Sequence, residues 1–251
     1  MVDLKIESGI AVVTIGHGKA NALDFELCEG LAKCFDELGR SDVRAVVVTG
    51  RGRMFSAGVD LLRLSAGGAS YVREFLPALH KLYYAVFFHP KAVVAAINGH
   101  AIAGGCVLAC CADRRIMARG EGRIGVTELR VGVPFPALPM EILRFAVQGR
   151  HLPEVIFGGG TDDADTALRR GWVDEVVDAD ALMERAKEAA AQLAELSPAA
   201  FALTKRQLRQ PVIDQLESCG ASIEQAAVDI WAAEDTLGHV RAYVARTLKK
   251  G

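Results

Sequence analysis

The sequence is poor in proline, in aromatic residues and in net charge. Only 8 of 251 residues are proline and 51% are hydrophobic, so we predict a chain that is globular throughout. A formal net charge of −2 provides no overall basic field, which argues against nucleic acid or an anionic membrane surface as the partner. The length suits one large α/β domain or two small ones, and small-molecule chemistry is the favoured class of function.

The six cysteines lack the spacing of a metal site or of a disulfide scaffold. Cys106, Cys110 and Cys111 are close in sequence, but no histidine stands at ligand spacing from them. We therefore predict free, buried thiols in a reducing compartment, and no bound metal. The N-terminal residues carry a charge every few positions and alternate apolar with polar, which indicates a strand and not a signal peptide. We therefore expect the protein to be cytoplasmic.

One segment, Ala92 to Ala112, contains no Asp, Glu, Lys or Arg and is about long enough to span a bilayer. Its middle carries Asn98, His100 and several glycines, which argue against a span. The segment better fits a buried strand, a glycine turn and a buried helix. We predict no membrane span.

The first two thirds of the chain alternates strand and helix patterns. A hairpin is predicted to turn at Ser8-Gly9, and leucines recur at helical spacing behind Asn21. Continuous β-branched and alanine runs at Val43–Gly50 and Lys91–Gly99 are typical of strands covered on both faces, and a further strand is predicted at Ile116–Arg119. This order predicts crossover connections and an α/β core.

After about Ala179 the pattern is helical only. We expect breaks at Ser197-Pro198, Gln210-Pro211 and Cys219-Gly220. The apolar positions exceed what a free surface helix needs, so this region should pack on the core or on another subunit.

Two glycine-containing segments place backbone N–H groups at a turn into a helix. They are FSAGVDL at Phe55–Leu61 and NGHAIAGGCVL at Asn98–Leu108. Such turns can bind an oxyanion, although glycines also serve simply to permit positive φ or close packing. No P-loop and no GxSxG elbow is present, and GHGKAN at Gly16–Asn21 is only a weak match to a dinucleotide fingerprint.

Taken together, the motifs resemble those of the crotonase superfamily, also called the enoyl-CoA hydratase/isomerase family. The matching segments, in the family's order, are KANALD at Lys19–Asp24, FSAGVDL at Phe55–Leu61, NGHAIAGGC at Asn98–Cys106, CADRRIMA at Cys111–Ala118, IGVTELRVGV at Ile124–Val133, ALRRGWVDEVV at Ala167–Val177 and AAEDTLGHVRAYVART at Ala232–Thr247. They cover nearly the full chain.

The resemblance implies a ββα spiral core at residues 1–190, which binds an acyl-CoA thioester, and a helical oligomerisation region at residues 191–251. It implies homotrimers or dimers of trimers and no cofactor beyond the coenzyme A of the substrate. Backbone N–H groups of Val59 and Gly104 would form an oxyanion hole for the thioester oxygen. The implied coenzyme A and substrate contacts are Ala20, Ala22, Ala57, Gly58, Asp60 and Leu61.

The resemblance also bears on the reaction. Enoyl-CoA hydratases of the family carry two glutamates, and the matching positions here are Val107 and Glu128, so one is absent. One glutamate suffices to move a proton from carbon 2 to carbon 4 of a 3-enoyl thioester, as in the family's monofunctional isomerases. Pro136 stands where dienoyl-CoA isomerases and some hydrolases carry a second acid. We therefore expect a 3-enoyl-CoA to 2-enoyl-CoA isomerase of fatty-acid breakdown, with Glu128 as the catalytic proton shuttle.

Other functions stay open at this point. The chain could be a hydratase or another crotonase enzyme, such as a hydrolase or a decarboxylase, with an acid supplied from elsewhere, for which Glu141 is a candidate. A third alternative, from a different class, is a catalytically silent acyl-CoA-binding or scaffold subunit. Asp60 and Asp113 are interpreted as structural, and His100 either packs in its turn or touches substrate.

Two sets of residues have open roles. One could line the acyl pocket or pack in the core, and it consists of Phe75, Leu79, Tyr83 and Phe135. The other could neutralise coenzyme A phosphates or serve solubility, and it consists of Lys205, Arg206, Lys249 and Lys250.

Overall fold

The chain folds as a repeat of two strands followed by helix. In the computed structural model, residues 1–147 and 149–247 are described. The strands are β1 Val2–Glu7, β2 Ile10–Ile15, β3 Ala45–Gly50, β4 Met54–Ser56, β5 Ala92–Ile97, β6 His100–Ile102, β7 Arg114–Ala118, β8 Ile124–Gly125 and β9 Glu175–Val177. The helices are α1 Phe25–Arg40, α2 Leu61–Phe87, α3 Gly104–Cys110, α4 Glu128–Val131, α5 Ala137–Ala146, α6 Leu152–Gly158, α7 Ala164–Arg170, α8 Leu182–Ala194, α9 Pro198–Gln215, α10 Ala221–Ala232 and α11 Glu234–Thr247.

Successive repeats build two separate sheets. The larger sheet has the order β1-β2-β3-β5-β7-β9, and the smaller one has the order β4-β6-β8. From β3 onward each repeat gives one strand to the large sheet and the next to the small sheet, with parallel neighbours. This arrangement is the predicted ββα spiral.

The first hairpin and the buried strands agree with their sequence patterns. β1 and β2 pair antiparallel around Ser8 and Gly9, which have φ values of 51° and 77°. Every residue of β3 and β5 is buried, because helices cover both faces of the large sheet. The continuous apolar runs reflect that double coverage.

Helix α8 covers the outer face of the large sheet. Its small residues Ala186, Ala189 and Ala190 pack against β3, β5 and β7 in a separate apolar cluster. The boundary that we predicted at residue 190 lies within this helix. The division into two functional regions remains a prediction.

The C-terminal helices differ from expectation at two of the three predicted breaks. The break at Ser197-Pro198 is present, but α9 continues through Pro211 to Gln215. Pro211 removes a hydrogen bond to the Gln207 carbonyl, and both residues are exposed, so water can hydrate that carbonyl. At Cys219-Gly220 a single π-helical stretch, Leu216–Gly220, joins α9 to α10 without an interruption.

Helices α10 and α11 pack on α2 of the same chain. The Trp231 indole N–H on α10 donates to the Pro134 carbonyl at 2.8 Å, and the Glu224 carboxylate accepts from the Ala137 N–H at the start of α5 at 3.0 Å. The C-terminal region therefore completes the core of its own subunit.

Ala92 to Ala112 forms β5, β6 and α3, as its broken apolar pattern predicts. Within the described residues, no helix combines the length and the hydropathy that crossing a bilayer requires.

Candidate active site

A cavity of about 630 Å³ lies where α2, α3, α4 and the C-terminal helices meet. Most of the residues predicted for the site line it, and they are Ala20, Ala22, Ala57, Val59, Asp60, Leu61, Gly104 and Glu128. The exception is Gly58, which lies behind the lining and forms the turn. The spiral thus brings together residues that are more than one hundred positions apart in sequence.

The first glycine turn is fixed by backbone hydrogen bonds to the loop before α1. The Leu23 N–H donates to the Gly58 carbonyl at 2.8 Å, and the Asp60 N–H donates to the Leu23 carbonyl at 2.9 Å. One residue before Gly58, the Ala57 N–H donates to the Ala20 carbonyl at 3.0 Å. These bonds hold the Val59 peptide between two anchored neighbours.

The second glycine turn lies directly against the first. Gly58 has a φ of 82°, and a Cβ built on it would lie 2.6 Å from the Ile102 oxygen and 2.9 Å from the Gly104 nitrogen. Glycine is required here both by its backbone conformation and by this close approach. The two predicted N–H donors therefore belong to adjacent, touching segments.

Both N–H groups are available to a ligand. Within the described part of the chain, neither the Val59 N–H nor the Gly104 N–H has a hydrogen-bond acceptor, and both residues line the cavity. Gly104 is the first residue of α3, where an N–H has no partner inside the helix. A pair of free donors at one wall can stabilise negative charge on a ligand oxygen.

Glu128 is a buried carboxyl at the start of α4, with 8% of the residue exposed. Its Oε2 has no hydrogen-bond partner among the described residues. Burial raises the pKa of this carboxyl to about 7, against the opposing effect of the backbone N–H groups of Thr127 and Glu128. A carboxyl with such a pKa can accept and return a proton near neutral pH.

Among the described residues, no second free carboxyl lines the cavity beside Glu128. Val107, which the family resemblance matches to the first glutamate of hydratases, lines the cavity and has an apolar side chain. Asp60 also lines the cavity, but its carboxylate caps α2 by accepting from the Arg63 N–H at 2.9 Å. Glu141 lies outside the cavity lining and faces Arg144 at 3.6 Å. Among the carboxyl residues of the described lining, Glu128 is thus the one with an oxygen that has no hydrogen-bond partner.

Asp113 and Lys205 belong to a structural cluster away from this cavity. Asp113 accepts from the Val93 N–H at 2.8 Å, from Lys205 at 2.6 Å and from Arg209 at 2.8 Å. Lys205 is 7% exposed, so the suggested role in neutralising coenzyme A phosphates is wrong for this residue. Arg206 does not line the cavity, and Lys249 and Lys250 lie outside the described residues.

The remaining sequence candidates do not line the cavity. His100 donates its backbone N–H to the Arg53 carbonyl at 3.2 Å and does not line the cavity. All six cysteines are free, but only four are buried, because Cys34 and Cys219 are partly exposed. In the described ranges, no three His, Cys, Asp or Glu side chains come together as a metal would require.

Of the four residues that could line the acyl pocket or pack in the core, three line the cavity and one does not. Leu79, Tyr83 and Phe135 line the cavity, whereas Phe75 packs in the core with its ring stacked 5.6 Å from that of Tyr71.

Sequence reasoning missed the contribution of the C-terminal helices and of the loop after β2. Trp231, Tyr243 and Thr247 close one side of the cavity, and His17 and Lys19 lie at its rim. The excess of apolar positions in the C-terminal region was the available indication, but it did not identify the surface that they cover.

Comparisons with known proteins identify the class. Human mitochondrial delta3-delta2-enoyl-CoA isomerase superposes with a TM-score of 0.94 at 25% identity, covering 99% of this chain and 98% of that one. The chain therefore has the crotonase fold, in agreement with the two sheets and the paired glycine turns.

Sequence relatives lead to the same family. A model described as enoyl-CoA hydratase/isomerase matches residues 5–245. A short-chain-enoyl-CoA hydratase of Clostridium acetobutylicum is 30% identical over 100% of this chain and 97% of its own length. Rat mitochondrial enoyl-CoA delta isomerase 1 is 28% identical over 92% of this chain and 78% of its own length. The chain belongs to the enoyl-CoA hydratase/isomerase family.

Proposed function

We propose that this protein converts 3-enoyl-CoA thioesters to 2-enoyl-CoA thioesters, with Glu128 as the single proton-transfer group. The observation that carries the proposal is one buried carboxyl, with a free oxygen and a pKa of about 7, in a cavity whose wall presents two free N–H donors. No other carboxyl group in the described lining has both an oxygen without a hydrogen-bond partner and a raised pKa.

The proposed reaction needs only these parts. Glu128, ionised, takes a proton from carbon 2, and the electrons delocalise through the dienolate onto the thioester oxygen. The N–H groups of Val59 and Gly104 stabilise that oxygen, and such donors typically contribute several kcal/mol. The protonated Glu128 then returns the proton to carbon 4, which leaves the double bond at carbon 2 and restores the carboxylate.

The apolar surroundings of Glu128 support isomerisation over hydration. Hydration of a 2-enoyl thioester requires one group to activate water and a proton to be delivered to carbon 2. Val107 offers no such group, and Asp60 is engaged as a helix cap. Because the Clostridium acetobutylicum relative is named a hydratase, hydration is the alternative activity that the assay must test.

We place the coenzyme A portion at the cavity rim. The loop that carries Ala20 and Ala22 lies along this rim beside Ala57 and Leu61, and Lys19 is exposed there. An ammonium group at this position can attract an anionic ligand from solvent. Phe135, Leu79 and Tyr83 would then face the acyl chain.

We also propose that the chain assembles through its C-terminal helices and acts in the cytoplasm. Leu203 and Leu208 on α9 are 60% and 63% exposed, and Ile223 and Ile230 on α10 are 42% and 46% exposed. Large apolar residues exposed on neighbouring helices favour burial in a trimer or a dimer of trimers. Light scattering should therefore give three or six times the chain mass of 26.8 kDa.

The function is tested by incubating purified protein with a 3-enoyl-CoA and, separately, with a 2-enoyl-CoA, and separating the products by chromatography. We expect conversion of the 3-enoyl to the 2-enoyl ester and no 3-hydroxyacyl product. Glu128→Gln should lower kcat by about 10²–10⁴, the contribution of general acid–base catalysis, while binding is retained. Hydration of the 2-enoyl ester would contradict the proposal, and so would equal rates for both proteins. Binding without turnover would indicate a silent acyl-CoA-binding subunit.

A further inference from the structure

The hydroxyl of Tyr83 contacts the backbone that carries one of the two oxyanion donors. Tyr83 lies on α2, is 1% exposed and lines the cavity. Its hydroxyl donates to the Gly104 carbonyl oxygen at 2.9 Å. A buried tyrosine hydroxyl normally requires a partner, and here that partner is in the first turn of α3.

That first turn begins at a strained residue. Ala103 has a φ of 50° and a ψ of −123°, a combination that L-residues rarely adopt and that persists only where neighbouring contacts enforce it. The Ala103 N–H donates to the Gly125 carbonyl at 2.8 Å, and its carbonyl accepts from the Cys106 N–H at 2.9 Å. In the part of the chain that the structure describes, no side chain forms a capping hydrogen bond at the start of α3. Tyr83 is therefore a side-chain contact that helps to hold a strained turn.

Tyr83 also accounts for the glycine at the donor position. A Cβ built on Gly104 would lie 2.8 Å from the Tyr83 hydroxyl oxygen and 3.3 Å from Leu23 Cδ1. The hydroxyl thus occupies the space beside the α-carbon of Gly104, so a side chain at position 104 would have to displace it.

We propose that Tyr83 is a positioning residue of the oxyanion hole: its hydroxyl holds the first turn of α3 so that the Gly104 N–H points at the substrate carbonyl oxygen. This inference rests on the proposed thioester site. Tyr83 acts through Gly104 and transfers no proton itself. Burial raises the pKa of the Tyr83 hydroxyl well above its ordinary value, so it stays a donor throughout the working pH range.

The test compares Tyr83→Phe with Tyr71→Phe. Tyr71 is on the same helix, and its hydroxyl accepts from the Phe25 N–H at 3.1 Å, but it does not line the cavity. Both variants lose one hydroxyl and keep the ring. The control therefore measures what the loss of a tyrosine hydrogen bond costs outside the proposed site.

The readout is the absorption maximum of bound 3-phenylprop-2-enoyl-CoA, which moves to longer wavelength when the thioester oxygen accepts hydrogen bonds. We expect Tyr83→Phe to lose a large part of this shift and to lower kcat about tenfold, less than the loss of a donor itself, with KM nearly unchanged. Tyr71→Phe should keep the wild-type absorption shift and the wild-type kcat. The pH midpoint of the reaction should be unchanged in both variants, since neither hydroxyl exchanges a proton with substrate.

The outcomes separate this inference from the proposed function. If the full-length wild-type protein shifts the probe and Tyr83→Phe shifts it equally with an equal kcat, the positioning role is wrong. If Tyr83→Phe only lowers the thermal unfolding temperature, with shift and kcat retained, its role is structural and the inference is again wrong. A shift in the wild-type protein that falls in Tyr83→Phe supports the inference even if the protein proves not to be an isomerase. No shift in the wild-type protein would contradict the oxyanion hole, and the inference with it.

Discussion

Glu128 should make the folded protein less stable as the pH rises through neutrality. The folded-state pKa of this carboxyl is about 7, whereas its ordinary value is 4.5. Below about pH 4.5 the carboxyl is protonated in both the folded and the unfolded state, and its burial as a neutral group carries no ionisation penalty. Above about pH 7 it is ionised in both states, and the folded state bears the full cost of a buried charge.

The size of this effect follows from the difference between the two pKa values. One pKa unit corresponds to about 1.4 kcal/mol, so the difference amounts to about 3 kcal/mol. Glu128→Gln removes the charge and keeps the shape. We expect its free energy of unfolding, relative to wild type, to increase by up to about 3 kcal/mol between pH 4.5 and pH 8.

The assay is urea unfolding of both proteins, followed by circular dichroism at several pH values in this range. Comparing the same two proteins across pH cancels the pH-independent differences between the two side chains. Glu37→Gln on α1 is the control, because the Glu37 side chain is 65% exposed, so its replacement removes no buried charge. A stability difference between wild type and Glu128→Gln that is constant with pH would refute the reasoning.

Three further predictions concern catalysis and the glycine turns. Because Glu128 acts as an ionised base, kcat/KM for isomerisation should rise about tenfold per pH unit below pH 7 and level off above it, and a rate that falls over this range would contradict the role. Gly58→Ala should lose far more stability than Gly52→Ala, as measured by urea unfolding. Both glycines have positive φ, so alanine at either position costs about 1–2 kcal/mol of backbone strain. Only at position 58 would the added Cβ also lie 2.6 Å from the Ile102 oxygen. Equal losses would show that the close approach is absent. Val107→Glu should introduce measurable hydration of a 2-enoyl-CoA that Val107→Gln does not, and if both variants hydrate equally a second carboxylate is not what wild type lacks.

Much of the fold could be predicted because its local patterns agree with its packing. The runs at Val43–Gly50 and Lys91–Gly99 are apolar on both faces, and both strands are covered on both faces. The hairpin at Ser8-Gly9 needs positive φ at two positions, and the sequence supplies a glycine at one of them. Patterns of this kind depend on a few adjacent residues and so are visible without tertiary information.

The site was predictable in part, through motifs whose function depends on backbone geometry. The turns at Gly58 and Gly104 require glycine for steric reasons, which leaves a trace in sequence. The burial of Glu128 leaves no such trace, since a glutamate beside Thr127 is equally compatible with an exposed helix start. Its raised pKa arises from the surrounding chain, not from its neighbours in sequence.

The incorrect expectations share a cause in tertiary structure. Pro211 is tolerated inside α9 because Pro211 and Gln207, whose carbonyl loses its partner, are both exposed residues. Lys205 is a surface lysine by residue type, yet α9 buries it against Asp113. Trp231 lines the cavity because α10 folds back onto α2, and no local pattern specifies that return.

The most direct test of the account is to follow a 3-enoyl-CoA that carries deuterium at both positions of carbon 2. A buried Glu128 that exchanges slowly with water should carry deuterium from carbon 2 to carbon 4, so mass spectrometry should find label at carbon 4 of the 2-enoyl product. Product with no label at carbon 4, formed at the same rate by wild type and by Glu128→Gln, would contradict the claim that this one carboxyl moves the proton.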